Sequence, residues 1–373
     1  MPQALIPARL AAAALALALA APVLAQIRIG QTAGLTGTVA GSVAETVQGA
    51  RLVIDATNAQ GGVNGQRIEL ITLDDRFDPK LAAENAARLL DEQRVSALFL
   101  TRGTPHTEAI LPLLAQYKVP LIAPSTGAML LHRPVNPWVF NVRSSYQREA
   151  EHAVRQLASM SMQRIGLVQV SDSFGNDGVE GAKRGFEAAK IEPAFHLKYD
   201  RSKPDFAELV TTAQAKQPQA VVFVGSQQHV ADGTKALRAA GVRAQIVTLS
   251  NNASGGFIKA LGDAAQGTIV TQVFPSERNT AMPMVRDLTA LARAKGIETV
   301  TPSMMEGYAA ARVLVEALKR AGKEPTPERI VKALEGMSRF DLGGVEVGFS
   351  PTDHTGMDYA DISIVGRDGR FLR

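Results

Sequence analysis

Short β-branched runs alternate with longer amphipathic stretches along most of this chain. Ile27-Arg28-Ile29 reads as a first strand, and Val43, Val47, Ala50 and Ile54 then recur at helical spacing. Gly61-Gly62 stops that helix, Asn64-Gly65 makes a tight turn, and Arg67–Leu73 is the next strand. Asp74-Asp75 reads as a loop and cap pair, and Pro79 opens a helix that runs to about Gln93. The run Val95–Leu100 is apolar enough for a strand buried on both faces. Pro105 then sits at the start of another helix, and Val119–Ala123 is a further strand. A β-α-β-α rhythm of this kind predicts a parallel sheet with helices on both faces.

The rhythm then restarts. Helical spacing covers Tyr146 to Met160, followed by a strand at Arg164–Val170 and a helix from about Gly175 to Lys190. Strands are predicted at Ala194–Tyr199, Val221–Val224, Ile246–Leu249 and Thr268–Val273, with helices near Pro204–Lys216 and Val230–Ala240 between them. Long helices follow near Met282–Lys295, Ser303–Arg320 and Glu328–Met337, then short strands at Val345–Phe349 and Ile362–Val365. Two α/β units of similar size imply two lobes.

The first residues do not belong to this pattern. Arg9, the Ala/Leu run Leu10 to Ala21 and the small residue Ala25 form a secretory signal with cleavage expected after Ala25. The run is too short to span a bilayer. Removing 25 of the 373 residues leaves 348, enough for two ordinary domains. The chain has no Cys, so it has no thiol nucleophile, no Cys-based metal site and no lipoprotein anchor at the cleavage point. Net charge is +4, one less without Arg9, and Lys and Arg are scattered among Asp and Glu. With no basic run interleaved with aromatics, nucleic acid is not an expected partner.

Ligand sites of open α/β sheets lie outside the carboxyl ends of the strands, which selects the candidate loops. After Val95–Leu100 comes Thr101-Arg102-Gly103-Thr104-Pro105. Thr104 beside a helix N-terminus is either a plain N-cap or part of an anion site, and Arg102 either a carboxylate clamp or a surface charge. Ser125 and Thr126 follow the Val119–Ala123 strand. In the second unit the loops are Ser171-Asp172-Ser173-Phe174-Gly175, Gly225-Ser226-Gln227-Gln228 and Leu249-Ser250-Asn251-Asn252. Asp172 reads first as a helix cap. Enzyme signatures are missing: there is no G-x-S-x-G elbow, Walker A loop or H-E-x-x-H helix, and the six His are dispersed. No cofactor or metal is expected.

The block Asn58–Pro79 resembles the first lobe of the periplasmic leucine/isoleucine/valine-binding proteins, the solute-capturing partners of ABC importers. The Gly34-Leu35-Thr36-Gly37 loop, Gly103-Thr104-Pro105, Phe174-Gly175 and Gly262–Gly267 carry the resemblance across nearly the whole mature chain. It implies a type I periplasmic binding protein fold with lobe I at 26–145 plus 274–340 and lobe II at 146–273 plus 341–373. It places Thr104, Ser125 and Thr126 on a ligand carboxylate, Phe174 on the ligand from the opposite lobe, and Tyr308 near the cleft. Arg102, Asp172, Gln227, Ser250 and Asn251 complete the expected site. None of the residues in the 58–79 block is expected to touch ligand.

The amino-acid binders carry an acid near Ser250-Asn251-Asn252 to meet the ligand's ammonium. Here that loop is neutral, which implies a carboxylate or amide without an ammonium unless Asp172 supplies the counter-charge. The role implied is a periplasmic, monomeric carrier that closes about a hinge and is recognised by an inner-membrane permease. The same fold serving a sensory receptor is the first alternative, and a periplasmic hydrolase the second.

Overall fold

The computed structural model describes residues 26–373, so the expected leader at 1–25 lies outside the described residues. The Asn58–Pro79 block shows how the sequence builds one repeat. Helix α1 (Ala40–Ala59) ends at Gly61 and Gly62, whose φ values of +97° and +77° suit glycine. A Cβ on Gly62 would stand 2.0 Å from the carbonyl oxygen of Gln66, so the turn can close only on glycine. The Asn58 side chain then stitches the helix end to strand β2 (Arg67–Asp74): its Nδ2 donates to the Ile68 carbonyl and its Oδ1 accepts from the Ile68 N–H, both at 2.8 Å. Asp78 caps helix α2 (Pro79–Asp91) by accepting from Lys80 N–H at 2.8 Å.

The first sheet has the order β2-β1-β3-β4-β5, with β1 at Gln26–Ala33, β3 at Ala97–Phe99, β4 at Leu121–Ile122 and β5 at Val139–Phe140, all parallel. The sequence pattern did not separate β5 from the loop before it. Register puts Leu98, Leu121 and Val139 side by side, and Phe99, Ile122 and Phe140 likewise. The two rows face opposite ways, as a period of two requires. The first row packs with Leu89 and Ile110 of α2 and α3 (Thr104–Tyr117). The second packs with the helices on the other face.

The second lobe begins with helix α4 (Tyr146–Ser159) and strand β6 (Ile165–Val170). Then come α5 (Ser173–Ala189), β7 (Phe195–Tyr199), α6 (Ala207–Lys216), β8 (Ala220–Val224), α7 (Gln227–Ala239), β9 (Gln245–Thr248), α8 (Gly255–Leu261) and β10 (Ile269–Gln272). The chain continues through α9 (Pro283–Ala294), α10 (Pro302–Ala321), α11 (Pro327–Glu335), a small hairpin β11 (Phe340–Asp341) and β12 (Glu346–Val347), then β13 (Asp361–Val365) and β14 (Phe371–Leu372). The second sheet runs β14-β13-β10-β9-β8-β6-β7. It is parallel from β7 to β10, and its far edge is closed by the antiparallel strands β13 and β14.

Core membership locates the passages between lobes. Val142 packs in the first core and Tyr146 in the second; Val270 packs in the second and Val273 in the first. The third passage differs from the sequence-based boundary at 340/341. Leu342, Val347, Phe349 and Met357 are buried in the first core, and the chain rejoins the second only with Ile362. The reason is the hairpin β11–β12, which has no place in either sheet: its turn accepts from Met284 N–H of α9, Arg312 of α10 lies over Phe340, and Val347 is buried in the first core. Among the described residues no helix is long and apolar enough to cross a membrane.

Candidate functional site

The two sheets present the carboxyl ends of their strands toward a cleft between the lobes. On the first-lobe side, β3 ends at Phe99 and Gly103 stands at the N-cap of α3 with φ +94°. A Cβ there would lie 2.6 Å from Nδ1 of His106, so only glycine lets the chain turn into the helix at this point. Thr104 is therefore the first helical residue rather than its cap. Its hydroxyl is hydrogen-bonded to that of Thr126 at 2.7 Å. Arg102 is buried and holds three neutral oxygens: Ser125 Oγ at 2.9 Å, Ser42 Oγ at 3.2 Å and, across the cleft, the Asn251 carbonyl at 2.6 Å.

From the second lobe come Phe174, Arg201, Ser226 and Asn251, and from the start of α4 comes Tyr146. Phe174 and Tyr146 pack with ring centroids 4.8 Å apart. Arg201 lies 5.2 Å from the centre of the Phe77 ring on the opposite lobe. Burial pushes the Tyr146 phenol up against the opposing charges of Arg143 and Arg102, so it stays protonated. Val39, Phe77, Arg102, Gly103 and Thr104 complete the wall of this cavity from the first lobe. Its volume is about 20 Å³, room for little more than one water, so a solute enters only when the lobes part. Three polar atoms at this wall are buried without a partner among the described residues: Arg201 Nη1, Ser226 Oγ and Asn251 Oδ1.

The lobes are joined around the cavity by polar contacts. Ser42 N–H donates to Gln227 Oε1 at 3.1 Å, and Gly255 and Gly256 N–H donate to Glu45 at 3.1 and 2.8 Å. Behind Tyr146 lies a second buried cluster. Arg143 is ion-paired with Glu149, donates to Ser250 Oγ at 2.7 Å, stacks 4.5 Å from the Tyr146 ring and lies 3.8 Å from Glu306. Glu149 also accepts from Ser250 N–H at 2.9 Å and from the Thr271 hydroxyl. Burial opposes the charge on Arg143, but Tyr146, Glu149 and Glu306 outweigh it and hold the guanidinium above its ordinary range.

Of the residues selected from sequence, Arg102, Thr104, Phe174 and Asn251 line the cavity. Ser125 and Thr126 stand one step behind, bonded to Arg102 and Thr104, and Gln227 bridges the lobes. Asp172 does not face the cleft as a free counter-ion. It caps α5 through Gly175 N–H and is ion-paired with Arg201 at 2.5 Å. Ser250 turns away toward Arg143 and Glu149.

Tyr308 is a correction: it is buried in the first core and hydrogen-bonded to Arg312, while Glu306, two residues earlier, is the one that reaches Arg143. Positions two apart on a helix point to different sides. A second correction is Phe77, which lies in the 58–79 block and yet lines the cavity. Sequence reasoning also missed Tyr146 and Arg201. The loop after β7 was available to the same rule that selected the other strand ends. Among the described residues no group of three or more His, Asp or Glu could hold a metal ion.

The chain is similar to known proteins over nearly its full length. The "Leu/Ile/Val-binding protein homolog 3" of Brucella melitensis biotype 1 is 24% identical over 315 residues, covering 83% of each chain. A substrate-binding periplasmic protein from Ralstonia solanacearum is 29% identical with a TM-score of 0.86, covering 93% of this chain and 99% of its own. A fatty acid ABC transporter substrate-binding protein from Thermomonospora curvata shares the fold, with a TM-score of 0.83 at 20% identity over 92% of this chain and 90% of its own. These relatives are solute-binding proteins, not enzymes. The family model described as "Periplasmic binding protein" matches residues 26–370, and this chain belongs to that family.

Proposed function

We propose that the protein is the exported, periplasmic solute-capturing component of an ABC importer of the branched-chain amino acid type. Its solute is a small carboxylate with an apolar or aromatic body and no ammonium group. The observation that carries the ligand class is the charge balance of the cleft wall. Arg102 and Arg201 both line it, and no Asp or Glu does. The nearby acids are already engaged: Asp172 by Arg201 and the α5 cap, and Glu149 and Glu306, behind Tyr146, by Arg143. An ammonium placed here would be desolvated beside the uncompensated Arg102 with no free carboxylate to meet it. A carboxylate meets Arg102, the Thr104 hydroxyl and the free end of α3. Phe77, Tyr146 and Phe174 offer the apolar remainder a stack of ring faces and edges.

Closure follows from the same groups. The first lobe holds the anionic head through Thr104 and Arg102, and the second lobe then brings Phe174 and Arg201 over the body. A ligand shifts the protein to the closed form only by binding that form better, and Arg201, Ser226 and Asn251 reach it only there.

The test is a thermal-shift screen with benzoate, hexanoate, a dicarboxylate, an amide and leucine. A carboxylate at 100 times its Kd stabilises the protein by about 2.7 kcal/mol. Leucine is expected to give no shift. A strong shift with leucine and none with benzoate or hexanoate overturns the ligand class.

A further inference from the structure

A second cavity, of about 360 Å³, lies between the lobes away from the cleft wall. One side belongs to the second lobe: Gly255 and Ile258 of α8, and the β13–β14 turn at Gly369-Arg370. The other belongs to the first lobe: α9 with Thr289 and Arg293, and the segment 298–301 with Pro302 at the start of α10. The passage after β10, Glu277 to Thr280, closes one end. Its volume is that of a small-molecule site.

Its polar groups are unusual. Glu277 is 8% exposed, and its Oε2 is buried with no hydrogen-bond partner among the described residues. No Lys or Arg among the described residues comes within ion-pair distance of it; Arg373 and Arg278 favour its charge only from farther away, and burial outweighs them. Glu277 lines the cavity although that oxygen is itself withdrawn from it; buried carboxylate oxygens are ordinarily paired, so this side chain is an anion short of a donor at the cavity wall. On the same cavity, the guanidinium groups of Arg278 and Arg293 make no ion pair or side-chain hydrogen bond among the described residues. Arg370, by contrast, is held 3.7 Å from Asp368. One wall thus offers a buried carboxylate without an ion pair, and the rim offers Arg278 and Arg293 together with Glu298, none of them ion-paired among the described residues.

We infer that this cavity is a second ligand site that takes a small zwitterion, its ammonium on Glu277 and its carboxylate on Arg278 and Arg293. The inference does not depend on which solute the cleft takes. The site straddles the lobes, and two of its lining residues, Gly255 and Thr301, are also the partners of Glu45 in the contact that joins α1 to α8. Its occupant therefore touches both lobes, and binding here and closure over the cleft are thermodynamically linked. The change in cleft affinity that the zwitterion causes equals the change in its own affinity caused by cleft ligand.

The experiment is calorimetric titration of the full mature protein with 4-aminobutyrate, with propylamine and butyrate as single-charge controls. Saturable binding of 4-aminobutyrate, at least tenfold tighter than either control, is expected. It is expected to persist in an Arg102→Ala/Thr104→Ala variant and to weaken at least tenfold in Glu277→Gln. Thr280→Trp, at an exposed lining position, fills the cavity without touching the carboxylate and is expected to abolish binding as well. No binding of 4-aminobutyrate overturns the inference. So does binding that is lost in the Arg102→Ala/Thr104→Ala variant and unchanged in Glu277→Gln and Thr280→Trp, because the probe would then occupy the cleft.

Discussion

Arg102 and Arg143 are both almost fully withdrawn from water, at 4% and 1% exposure, and both act on Tyr146, yet they are surrounded in opposite ways. Arg143 sits between Glu149 and Glu306 and is neutralised within the fold. Arg102 meets only neutral oxygens, from Ser125, Ser42 and the Asn251 backbone. A buried guanidinium with its own carboxylates is finished structure. One without them keeps a charge for something else, and here it does so at the wall of a cleft with Arg201 as a second cation. The difference separates hinge from binding site more sharply than burial or residue type does.

The largest effect tests the hinge half of this contrast. Arg143→Leu leaves Glu149 and Glu306 buried without their cation and is expected to destabilise the protein by about 3–5 kcal/mol, read from urea denaturation. Replacing Glu149 and Glu306 by Gln in the same chain is expected to recover much of that loss, because the cost lies in the stranded charges. A single variant that loses less than about 1 kcal/mol would show that Arg143 is not held by a compensated network.

The next effect concerns the cationic side of the cleft. His106 is fully buried and stacked on Phe77 at 4.2 Å. Burial, with Arg201 adding to it and Asp78 and Asp172 opposing, pushes its pKa down to about 4. A histidine depressed in this way is neutral in the folded protein. Its stability contribution is complete above the unfolded value near 6.5 and is lost as pH falls from there to about 4. Asp75, pushed up to about 6 chiefly by its own burial, acts with the opposite sign over the same range. The clean measurement is therefore a difference. Between pH 7 and pH 4, His106→Leu is expected to lose about 3 kcal/mol less stability than the parent protein. Identical pH profiles would mean that no buried neutral histidine lies behind Phe77.

How much of this was legible in the sequence follows from the same residues. The alternation of strands and helices, the turn glycines of the 58–79 block and the strand-end loops carrying Arg102, Thr104, Phe174 and Asn251 all depend on local pattern, and a single chain displays local pattern. Arg201 stands in a strand-end loop that the same rule could have selected, but its aim into the cleft is set by partners distant in sequence, Asp172 holding it and Phe77 facing it from the other lobe; Phe77 and Tyr146 likewise owe their place to such partners. Tyr308 was misplaced because helix phase is set by how α10 packs on α1. That packing turns Glu306 toward the hinge and Tyr308 into the core. The lobe boundary at 340/341 cut through the hairpin for a similar reason: short strands carry little pattern of their own, and what they pack against decides where they belong.

A smaller effect tests the cleft half of the contrast. Arg102→Leu is expected to weaken binding of the carboxylate found in the screen by about 10- to 100-fold, from the loss of one charge-assisted contact. Its cost to stability is expected to stay within about 1 kcal/mol, because no carboxylate is stranded when the guanidinium goes. A stability loss equal to that of Arg143→Leu, with unchanged affinity, would erase the distinction between the two arginines.

The smallest effect separates closure from contact. Gln227 touches Ser42 across the cleft and does not line the cavity, so it contributes to the closed form without touching ligand. Gln227→Ala removes one neutral interlobe hydrogen bond, of about 0.5–1.5 kcal/mol, which converts to a loss of affinity of about two- to tenfold. Because the bond exists only when the lobes meet, the loss is expected to be the same factor for every carboxylate that closes the protein. Arg102→Leu, by contrast, is expected to penalise carboxylates far more than amides. Affinity measured for one carboxylate and one amide on both variants distinguishes the cases. A Gln227→Ala penalty that depends on the ligand's head group would place Gln227 on the ligand, and would mean that the second lobe reads the solute's polar end as well as covering it.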